Sequence, residues 1–246
     1  MPPVVVFDFD LTLTAEHIFP ALYQNKRPEQ WKGIAKDALL RNRAFALWLF
    51  GGAERAALLH RFLRKLRQNN VVLAISSLGF VEDVKVLLYA LPDNYLRDAN
   101  GTSFFSILHG LNEEHAADVW YSDCKTGWVP GVPWNWDRLS KVDFIRKLRE
   151  KYGTCIVFVD DRGTDHDYDA VERMSITTIP MPSRGGLTET EMTLIFEALS
   201  KFGAVTCDRC LCKAAHYLCS GCNERIYCSP QCRTLDWTDT HLLECK

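Results

Sequence analysis

The chain has 246 residues, of which 47% are hydrophobic and 24% are charged, and its formal net charge is -2. This composition allows one full-sized hydrophobic core and a small additional module. The near-neutral charge excludes whole-chain electrostatic attraction to nucleic acid or to an anionic membrane surface. The N-terminus has no basic flank before a long apolar run, and no stretch reaches the roughly 18 apolar residues that span a bilayer. We therefore expect a soluble intracellular protein, cytoplasmic or nuclear.

Short apolar, β-branched segments alternate with helical patterns along most of the chain, which predicts βαβ units and a mostly parallel sheet. The helices are indicated by apolar residues at helical spacing. In chain order, we expect a strand at 4–7, a helix at 54–68, a strand at 71–76, a helix at 81–91, a strand at 104–108, a helix at 141–151, and strands at 155–159 and 176–179.

Two segments are longer than a minimal βα repeat requires. Residues 15–52, after the first strand, are expected to form a small helical insert, and residues 108–136 are rich in Trp, Pro and Gly. Insertions at strand ends often shape a binding site. Thr188 and Glu191 form a capping box that opens a final helix to about Lys201. We expect a front domain over residues 1–202, joined by a short linker to a module over residues 207–246.

Acidic residues follow two of the predicted strands. Asp8 and Asp10 come directly after the first, and Asp160, Asp161 and Asp165 follow the fourth. Ligands bind at the carboxyl ends of strands in open α/β sheets. Clustered carboxylates must be paired or metal-bound, and their hard oxygens favour Mg²⁺. A hydroxyl at Ser76 and a cation at Lys141 are expected at the same edge, where the group together can hold a metal and a phosphate.

The order of these segments, FDFDLTLT, VVLAISS, SKVDFI and VFVDDRGTD, resembles the haloacid dehalogenase-like (HAD) superfamily over roughly residues 4–200. The resemblance implies a Rossmannoid three-layer α/β sandwich and a magnesium-dependent phosphatase that acts on a phosphomonoester. It further implies Asp8 as the nucleophile that becomes an aspartyl phosphate, and Asp10 as the acid and base. One Mg²⁺ would be bound by Asp8, the Asp10 carbonyl, Asp161 and Asp165. Phosphate binding or bracing of the site would fall to Thr12, Ser76 and Lys141.

Several alternatives stay open at this stage. Asp160 stands where many members of the superfamily have Gly, so Asp160 is an alternative magnesium ligand to Asp161. A calcium loop starting at Asp8 or Asp161 is disfavoured, because neither segment has the glycine that the sixth position requires. Arg41, Arg43 and Arg55 either bind a second anionic group of the substrate or form a solvated helix face. The tryptophans of the second long segment either roof the site or pack in loops.

Eight of the ten cysteines lie in the last 40 residues, mostly in closely spaced pairs. Nothing routes the chain to an oxidising compartment, so zinc thiolates explain them better than disulfides. From Cys207 the pattern C-x2-C-x8-C-x2-C-x5-C-x3-C-x8-H-x3-C supplies eight ligands, enough for two tetrahedral Zn²⁺ sites. A segment of this size buries too little apolar surface to fold alone, so zinc removal should unfold it.

The segment YCSPQCRTLDWTDTHLLEC resembles the MYND finger. The resemblance implies interleaved ligand pairs and a protein-interaction module, often for proline-containing peptides. Cys212 would be left over, either as a free thiol or as a competing ligand. The implied sites are Cys207, Cys210, Cys228 and Cys232 for one Zn²⁺, and Cys219, Cys222, His241 and Cys245 for the other.

The module carries five basic and five acidic residues. With seven thiolates against two Zn²⁺ it would be net negative, which argues against nucleic-acid binding. Three functions compete: a phosphatase guided by the finger, a non-catalytic or regulatory interaction protein in which the finger recruits a partner, and phosphoryl transfer to an acceptor other than water. A less favoured alternative is that the finger is a purely structural annex that caps the front domain. The sequence does not identify the phosphorylated substrate.

Overall fold

The computed structural model describes residues 1–92, 95–111, 117–122, 128–133, 141–161, 166–181, 185–211, 215, 217–222, 224–242 and 245. At 117–122, 128–133, 166–168 and 239–240 only the backbone is described. Asp165 and Cys212 lie outside the described residues, so their predicted roles remain predictions. Within the described part, no helix is long and apolar enough to cross a membrane.

A sheet of seven strands forms the centre of the front domain. Its order is β5-β4-β3-β2-β1-β6-β7, with parallel pairing from β3 to β7 and antiparallel pairing at the β3-β4-β5 edge. The predicted α/β class with a mostly parallel sheet is confirmed. The strands are β1 (Val4–Phe7), β2 (Val72–Phe80), β3 (Ile107–Leu111), β4 (Ala117–Ser122), β5 (Trp128–Pro133), β6 (Ile156–Asp160) and β7 (Thr177–Pro180).

Helices cover both faces of the sheet, which gives three layers. Alternate residues of β1 and β6 point to opposite faces, so each face buries its own set of apolar side chains. Helices α6 (Lys141–Tyr152) and α7 (His166–Glu172) cover one face. Helices α4 (Ala53–Gln68), α5 (Val81–Ala90) and α8 (Glu189–Lys201) cover the other. The predicted capping box of Thr188 and Glu191 opens α8.

The segment after β1 is helical, as predicted. A π-helical turn at Phe9–Leu13 is followed by α1 (Ile18–Tyr23), a 3-10 turn at Glu29–Trp31, α2 (Lys36–Leu40) and α3 (Arg43–Leu49). In the turn, Leu11 adopts a left-handed backbone with φ 57°. Asp8 directly precedes this π-helical turn, and Asp10 is its second residue.

Three sequence-based expectations differ from the structure. Strand β2 runs to Phe80 instead of ending at Ser76, so Ser76 lies within the strand. The third strand begins at Ile107 instead of residue 104, because Phe104 belongs to a turn in which its N–H bonds to the carbonyl of Leu96. Phe104 and Phe105 are buried, so this turn has the apolar sequence that is typical of a strand. The segment 108–136, in which the sequence predicts no strand beyond residue 108, contributes the antiparallel strands β4 and β5 at the sheet edge, and the side chains of its tryptophans lie outside the described residues.

The C-terminal module contains a short hairpin of β8 (Tyr217–Leu218) and β9 (Ile226–Tyr227), then α9 (Pro230–Asp236) and a π-helical turn at Trp237–His241. Ser229 caps α9 by accepting a hydrogen bond from the N–H of Cys232. The module packs on α4 and α8, and its buried residues belong to the same hydrophobic cluster as theirs.

Candidate active site and zinc centres

Adjacent parallel strands bring the predicted acidic residues together. The register pairs Phe7 with Val159, so Asp8 and Asp160 are neighbours on the face that α6 covers. The N–H of Asp8 donates to the Val159 carbonyl over 2.8 Å and continues the pairing. Carboxylate oxygens of Asp8, Asp160 and Asp161 all lie within 4.8 Å of one another. Of the two predicted acidic groups, Asp8, Asp160 and Asp161 therefore meet at the carboxyl end of the sheet.

Lys141, the first residue of α6, joins the two buried carboxylates. Its Nζ lies 2.5 Å from Asp8 Oδ1 and 2.6 Å from Asp160 Oδ2, and all three side chains are almost fully buried. Burial alone would lower the pKa of Lys141, but the charges of Asp8 and Asp160 outweigh it and raise the pKa. Burial also raises the pKa of Asp8, with Lys141 acting in the opposite direction. Lys141 is thus held as a cation, while Asp8 lacks full compensation for its charge.

The donor set fits a divalent cation. Three carboxylates and one ammonium leave about two negative charges in this cluster when all are ionised, and Mg²⁺ prefers hard oxygen ligands. Octahedral Mg–O distances of about 2.1 Å place opposite ligand oxygens roughly 4.2 Å apart, and the carboxylate oxygens here lie within 4.8 Å of one another. One carboxylate oxygen of Asp160 accepts a hydrogen bond from Lys141. Asp161 is half-buried at the edge of the cluster.

Asp10 lines a narrow cavity beside the insert. Its Oδ1 accepts a hydrogen bond of 2.6 Å from the N–H of Ile18, the first residue of α1, and His17 Nδ1 is 3.7 Å away. The carboxylate is thus held by the insert instead of by the Asp8 cluster. The cavity is also lined by Ser77 and Gly79 of β2 and by three aromatic side chains, those of Phe19, Tyr23 and Phe80.

The two predicted hydroxyl groups are fully buried. Ser76 Oγ lies 3.0 Å from Nδ1 of His109, whose ring stacks on Phe144 of α6. Burial, reinforced by the charge of Lys141, lowers the pKa of His109 to about 3, so this imidazole is neutral. Thr12 Oγ1 has no hydrogen-bond partner among the described residues. Ser77, which the sequence-based reasoning passed over, is the serine that lines the Asp10 cavity.

Arg55 of α4 braces the loop that carries Asp10. Its guanidinium donates to the carbonyls of Thr12 at 3.1 Å and Leu13 at 2.8 Å, and burial lowers its pKa to about 10. Gly186 has a φ of 80°, and a Cβ there would lie 2.7 Å from the Thr14 carbonyl oxygen as well as against Arg55, so glycine is required at this position. Arg55 therefore has a structural role, because the hydrogen bonds to these carbonyls occupy the groups that would otherwise bind a substrate.

Arg41 and Arg43 have a different environment from Arg55. Both are exposed, and both line a surface cavity of about 680 Å³ between the insert and α5. The other residues that line this cavity are Glu82, Lys85, Val86, Tyr89 and Ala90, and none of them lines the Asp10 cavity. The structure thus separates these two arginines from the surroundings of Asp10.

The zinc ligands assemble into the two interleaved sets that the resemblance implies. In the first set, the Sγ of Cys228 lies 3.5 Å from those of Cys210 and Cys232. Tetrahedral Zn–S bonds of 2.3 Å place two sulfur ligands about 3.8 Å apart, so these separations fit a shared ion. The members are Cys207, Cys210, Cys228 and Cys232, and, in the second set, Cys219, Cys222, His241 and Cys245.

The second set includes the imidazole. Nε2 of His241 lies 3.2 Å from Cys219 Sγ and 3.4 Å from Cys222 Sγ. Burial tends to raise the pKa of Cys219, but hydrogen bonds from the Cys222 backbone and from His241 outweigh it and lower that pKa to about 6. A thiolate is the form that binds zinc. Burial and hydrogen bonds to Cys219 and Cys222 instead raise the pKa of Cys245 in the same set, so the ligand geometry is what indicates Zn²⁺ at this site.

Comparison with known proteins agrees with the zinc geometry. Residues 207–245 match the family model of the MYND finger. The match covers the whole C-terminal module and all eight predicted ligands, and this module is a MYND-type zinc finger. No curated protein matches the chain at a significant level.

Two solved structures resemble the chain over most of its length. Both are of the HAD domain of effector protein Lem4 from Legionella pneumophila, and both are 14% identical to this chain. The alignment with the first structure covers 80% of this chain and 93% of the Lem4 chain, with a TM-score of 0.45. The alignment with the second, an inactive mutant, covers 81% of this chain and 93% of the Lem4 chain, with a TM-score of 0.48. At this level of similarity the likeness carries no weight for the chemistry of the present chain.

Substitution in one ligand set should remove one ion and leave the other. We expect two Zn²⁺ per wild-type chain and about one in Cys219→Ser, because a single substitution opens the second site only. Cys155→Ser is the matched control, since Cys155 lies in the front domain outside both ligand sets. Zinc content measured by atomic emission checks this. Loss of zinc in Cys155→Ser, or two Zn²⁺ retained in Cys219→Ser, would contradict the assignment.

Proposed function

We propose that the front domain is a magnesium-dependent phosphatase of the HAD type that acts on a phosphomonoester. The observation that carries the proposal is the buried cluster of Asp8, Asp160 and Lys141, joined by Asp161, at the carboxyl ends of adjacent parallel strands. Uncompensated buried carboxylates are costly, and functional sites are where such groups persist. The cluster combines a candidate nucleophile, a fixed cation and oxygen ligands in one place.

In the proposed reaction, an oxygen of Asp8 attacks phosphorus and the bond to the leaving oxygen breaks, which gives an aspartyl phosphate. Asp10 donates its proton to the leaving oxygen. It then takes a proton from water, which attacks phosphorus and releases inorganic phosphate and free Asp8. If another hydroxyl compound replaces water, the same steps transfer the phosphoryl group, and product analysis separates the two outcomes.

Magnesium, when bound, would offset the repulsion between the anionic nucleophile and the anionic phosphate. We propose Asp8, Asp161 and the carbonyl of Asp10 as its ligands, with Asp165 as a further candidate. Asp160 is proposed to position Lys141, because one of its oxygens lies in the ion pair. Lys141 would contact the phosphoryl group, and Thr12 would brace the loop through its carbonyl contacts with Arg55 and Leu187.

The proposed hydroxyl contact with the phosphoryl group comes from β2. Ser76 was the sequence-based choice, but it must turn away from His109 to reach a substrate. Ser77 lines the cavity of Asp10, the proposed acid and base, and its Oγ accepts a hydrogen bond from the N–H of Gly79. Alanine at each position separates the two candidates, because only the serine that contacts phosphate should affect kcat/KM strongly.

Removal of the nucleophile should abolish hydrolysis. With para-nitrophenyl phosphate and Mg²⁺, we expect Asp8→Asn to lower kcat/KM by roughly 10³-fold or more. The control is Asp143→Asn, which removes a carboxylate from the exposed side of α6, where it pairs with Arg146, and should leave the rate unchanged. Circular dichroism checks that both variants fold. An Asp8→Asn protein with wild-type activity would refute the nucleophile assignment.

The two adjacent acids should differ in their magnesium dependence. We expect Asp161→Asn to raise the Mg²⁺ concentration for half-maximal activity by roughly tenfold or more, since a direct ligand is lost. Asp160→Asn should instead lower kcat with little change in that concentration, because Lys141 loses a partner. Magnesium titrations of the phosphatase rate measure both. The reverse pattern would make Asp160 the ligand, and two unchanged titrations would contradict a magnesium site here.

A second function, recruitment of a protein partner, is supported by exposed apolar groups of the finger. Its large exposed apolar side chains are those of Leu211, Tyr217, Leu235, Trp237 and Leu242. Exposed aromatic and aliphatic groups of this kind favour protein contacts. We propose that these side chains bind a peptide, in line with the proline-containing ligands that the MYND resemblance implies. If the front domain is inactive, this recruitment would be the main function.

Peptide binding should depend on Trp237 and not on Asp8. We expect a panel of fluorescent proline-containing peptides to include binders of the zinc-loaded chain, with affinity at least tenfold weaker in Trp237→Ala. Leu194→Ala, which removes a comparably exposed apolar group from α8, and Asp8→Asn should both bind as wild type. Fluorescence polarisation, with zinc content as a check, measures this. Equal weakening in Leu194→Ala, or no binder in the panel, would count against the proposal.

A further inference from the structure

One face of the finger is occupied by the chain itself. Lys65 of α4 is a buried lysine, 7% exposed, and its Nζ donates to both carboxylate oxygens of Asp208 at 2.6 and 2.7 Å. Asp208 directly follows Cys207, a ligand of the first zinc set. Its Oδ2 also accepts a 2.6 Å hydrogen bond from the N–H of Ile226. This arrangement, here called the α4 clamp, links the first zinc site to the front domain.

The α4 clamp is surrounded by a continuous apolar interface. Cys207, Ile226 and Tyr227 of the finger have no exposed surface and belong to one hydrophobic cluster with front-domain side chains. Those side chains include Phe62 and Leu66 of α4 and Phe196 and Leu199 of α8. A segment of about 40 residues has too little apolar surface for a core of its own. The finger therefore completes the core of the front domain as well as its own.

Polar contacts around the clamp extend the same interface. Asn69 Oδ1 accepts a hydrogen bond from the N–H of Thr206, and the Ser200 hydroxyl of α8 donates to the carbonyl of Ala215. Arg64 and Glu224 form an ion pair in which both side chains are 44% exposed. Exposed pairs contribute little to stability, whereas a buried charge that loses its partner is costly. The α4 clamp is therefore the polar contact on which the interface depends most.

The other end of α4 reaches the candidate active site. Arg55 donates to the carbonyls of Thr12 and Leu13, in the loop that carries Asp10. Ten residues, or about 15 Å of helix, separate Arg55 from Lys65. One rigid helix thus connects the first zinc site with the loop beside the Asp8 cluster.

We propose that the zinc finger is a structural part of the front domain, so that zinc bound at the first site stabilises both and the two unfold as one unit. Zinc holds the Cys207 segment in place, that segment holds Asp208 against Lys65, and the completed interface holds α4. The inference does not depend on whether the front domain is a phosphatase.

The first experiment follows the unfolding of the front domain alone in the full-length chain. In Trp237→Phe, the six remaining tryptophans all lie outside the finger, so tryptophan fluorescence reports the front domain. Zinc is removed with 1,10-phenanthroline, and its release is measured. We expect one thermal transition, with a midpoint lowered by roughly 5–10 °C after zinc removal. Complete zinc release with an unchanged front-domain midpoint would overturn the proposal.

The second experiment tests the α4 clamp itself. In the zinc-loaded protein we expect Lys65→Met to lower the midpoint by roughly 5–10 °C, because Asp208 is left without its buried partner. Arg64→Met, the matched control one residue away, should shift it by about 2 °C or less. Lys65→Met combined with Asp208→Asn should recover part of the loss. A Lys65→Met shift no larger than that of Arg64→Met would contradict the role of the clamp.

Discussion

The ion pair of Lys141 with Asp8 and Asp160 is the contact on which the candidate site depends. Two strands of the sheet each end in a carboxylate, and parallel neighbours with matched register place those carboxylates side by side. Buried like charges repel, so the pair requires a cation between them. Lys141 reaches them because α6 begins at this edge of the sheet. Removing one partner from such a buried cluster typically costs about 3–5 kcal/mol, so the arrangement is also a structural constraint.

The same cluster explains why a second cation is expected. Lys141 compensates for only one of the negative charges, and the pKa of Asp8 is raised by burial. A protein that gained nothing from this surplus could replace a carboxylate with an apolar side chain at little cost. The surplus is concentrated where oxygen ligands already lie within 4.8 Å of one another. Charge balance and geometry thus lead to the same proposal, a divalent cation on Asp8.

Much of this could be predicted from the sequence because the signals were local. Strand β1, helix α4 and the capping box of α8 each follow from the pattern of a few neighbouring residues. Eight candidate zinc ligands were recognisable from the spacing of the cysteines and His241, and the resemblance to the MYND finger implied how they divide into two sets. Positions at the ends of strands predicted the meeting of Asp8 with Asp160 and Asp161, since parallel strands share one carboxyl edge.

The features that were missed depend on contacts between distant residues. The antiparallel pairing of β4 and β5 has no strong local signal in a segment rich in Trp, Pro and Gly. The sequence pattern allows Arg55 to be a surface cation. Only the fold shows that backbone carbonyls of another segment surround its guanidinium. Lys65 and Asp208 are 143 positions apart, so their ion pair is not visible in the sequence. That contact changes the interpretation of the finger from a tethered module to a docked one.

The most direct measurement is a crystal structure of the full-length chain with Mg²⁺ and beryllium fluoride, which mimics a phosphoryl group bound to a carboxylate. The account predicts beryllium bonded to an oxygen of Asp8, with Mg²⁺ about 2.1 Å from oxygens of Asp8 and Asp161. It also predicts that Lys141 contacts the fluoride atoms. Beryllium fluoride on another residue, or Mg²⁺ bound away from Asp8 in crystals that contain both, would contradict the central claim.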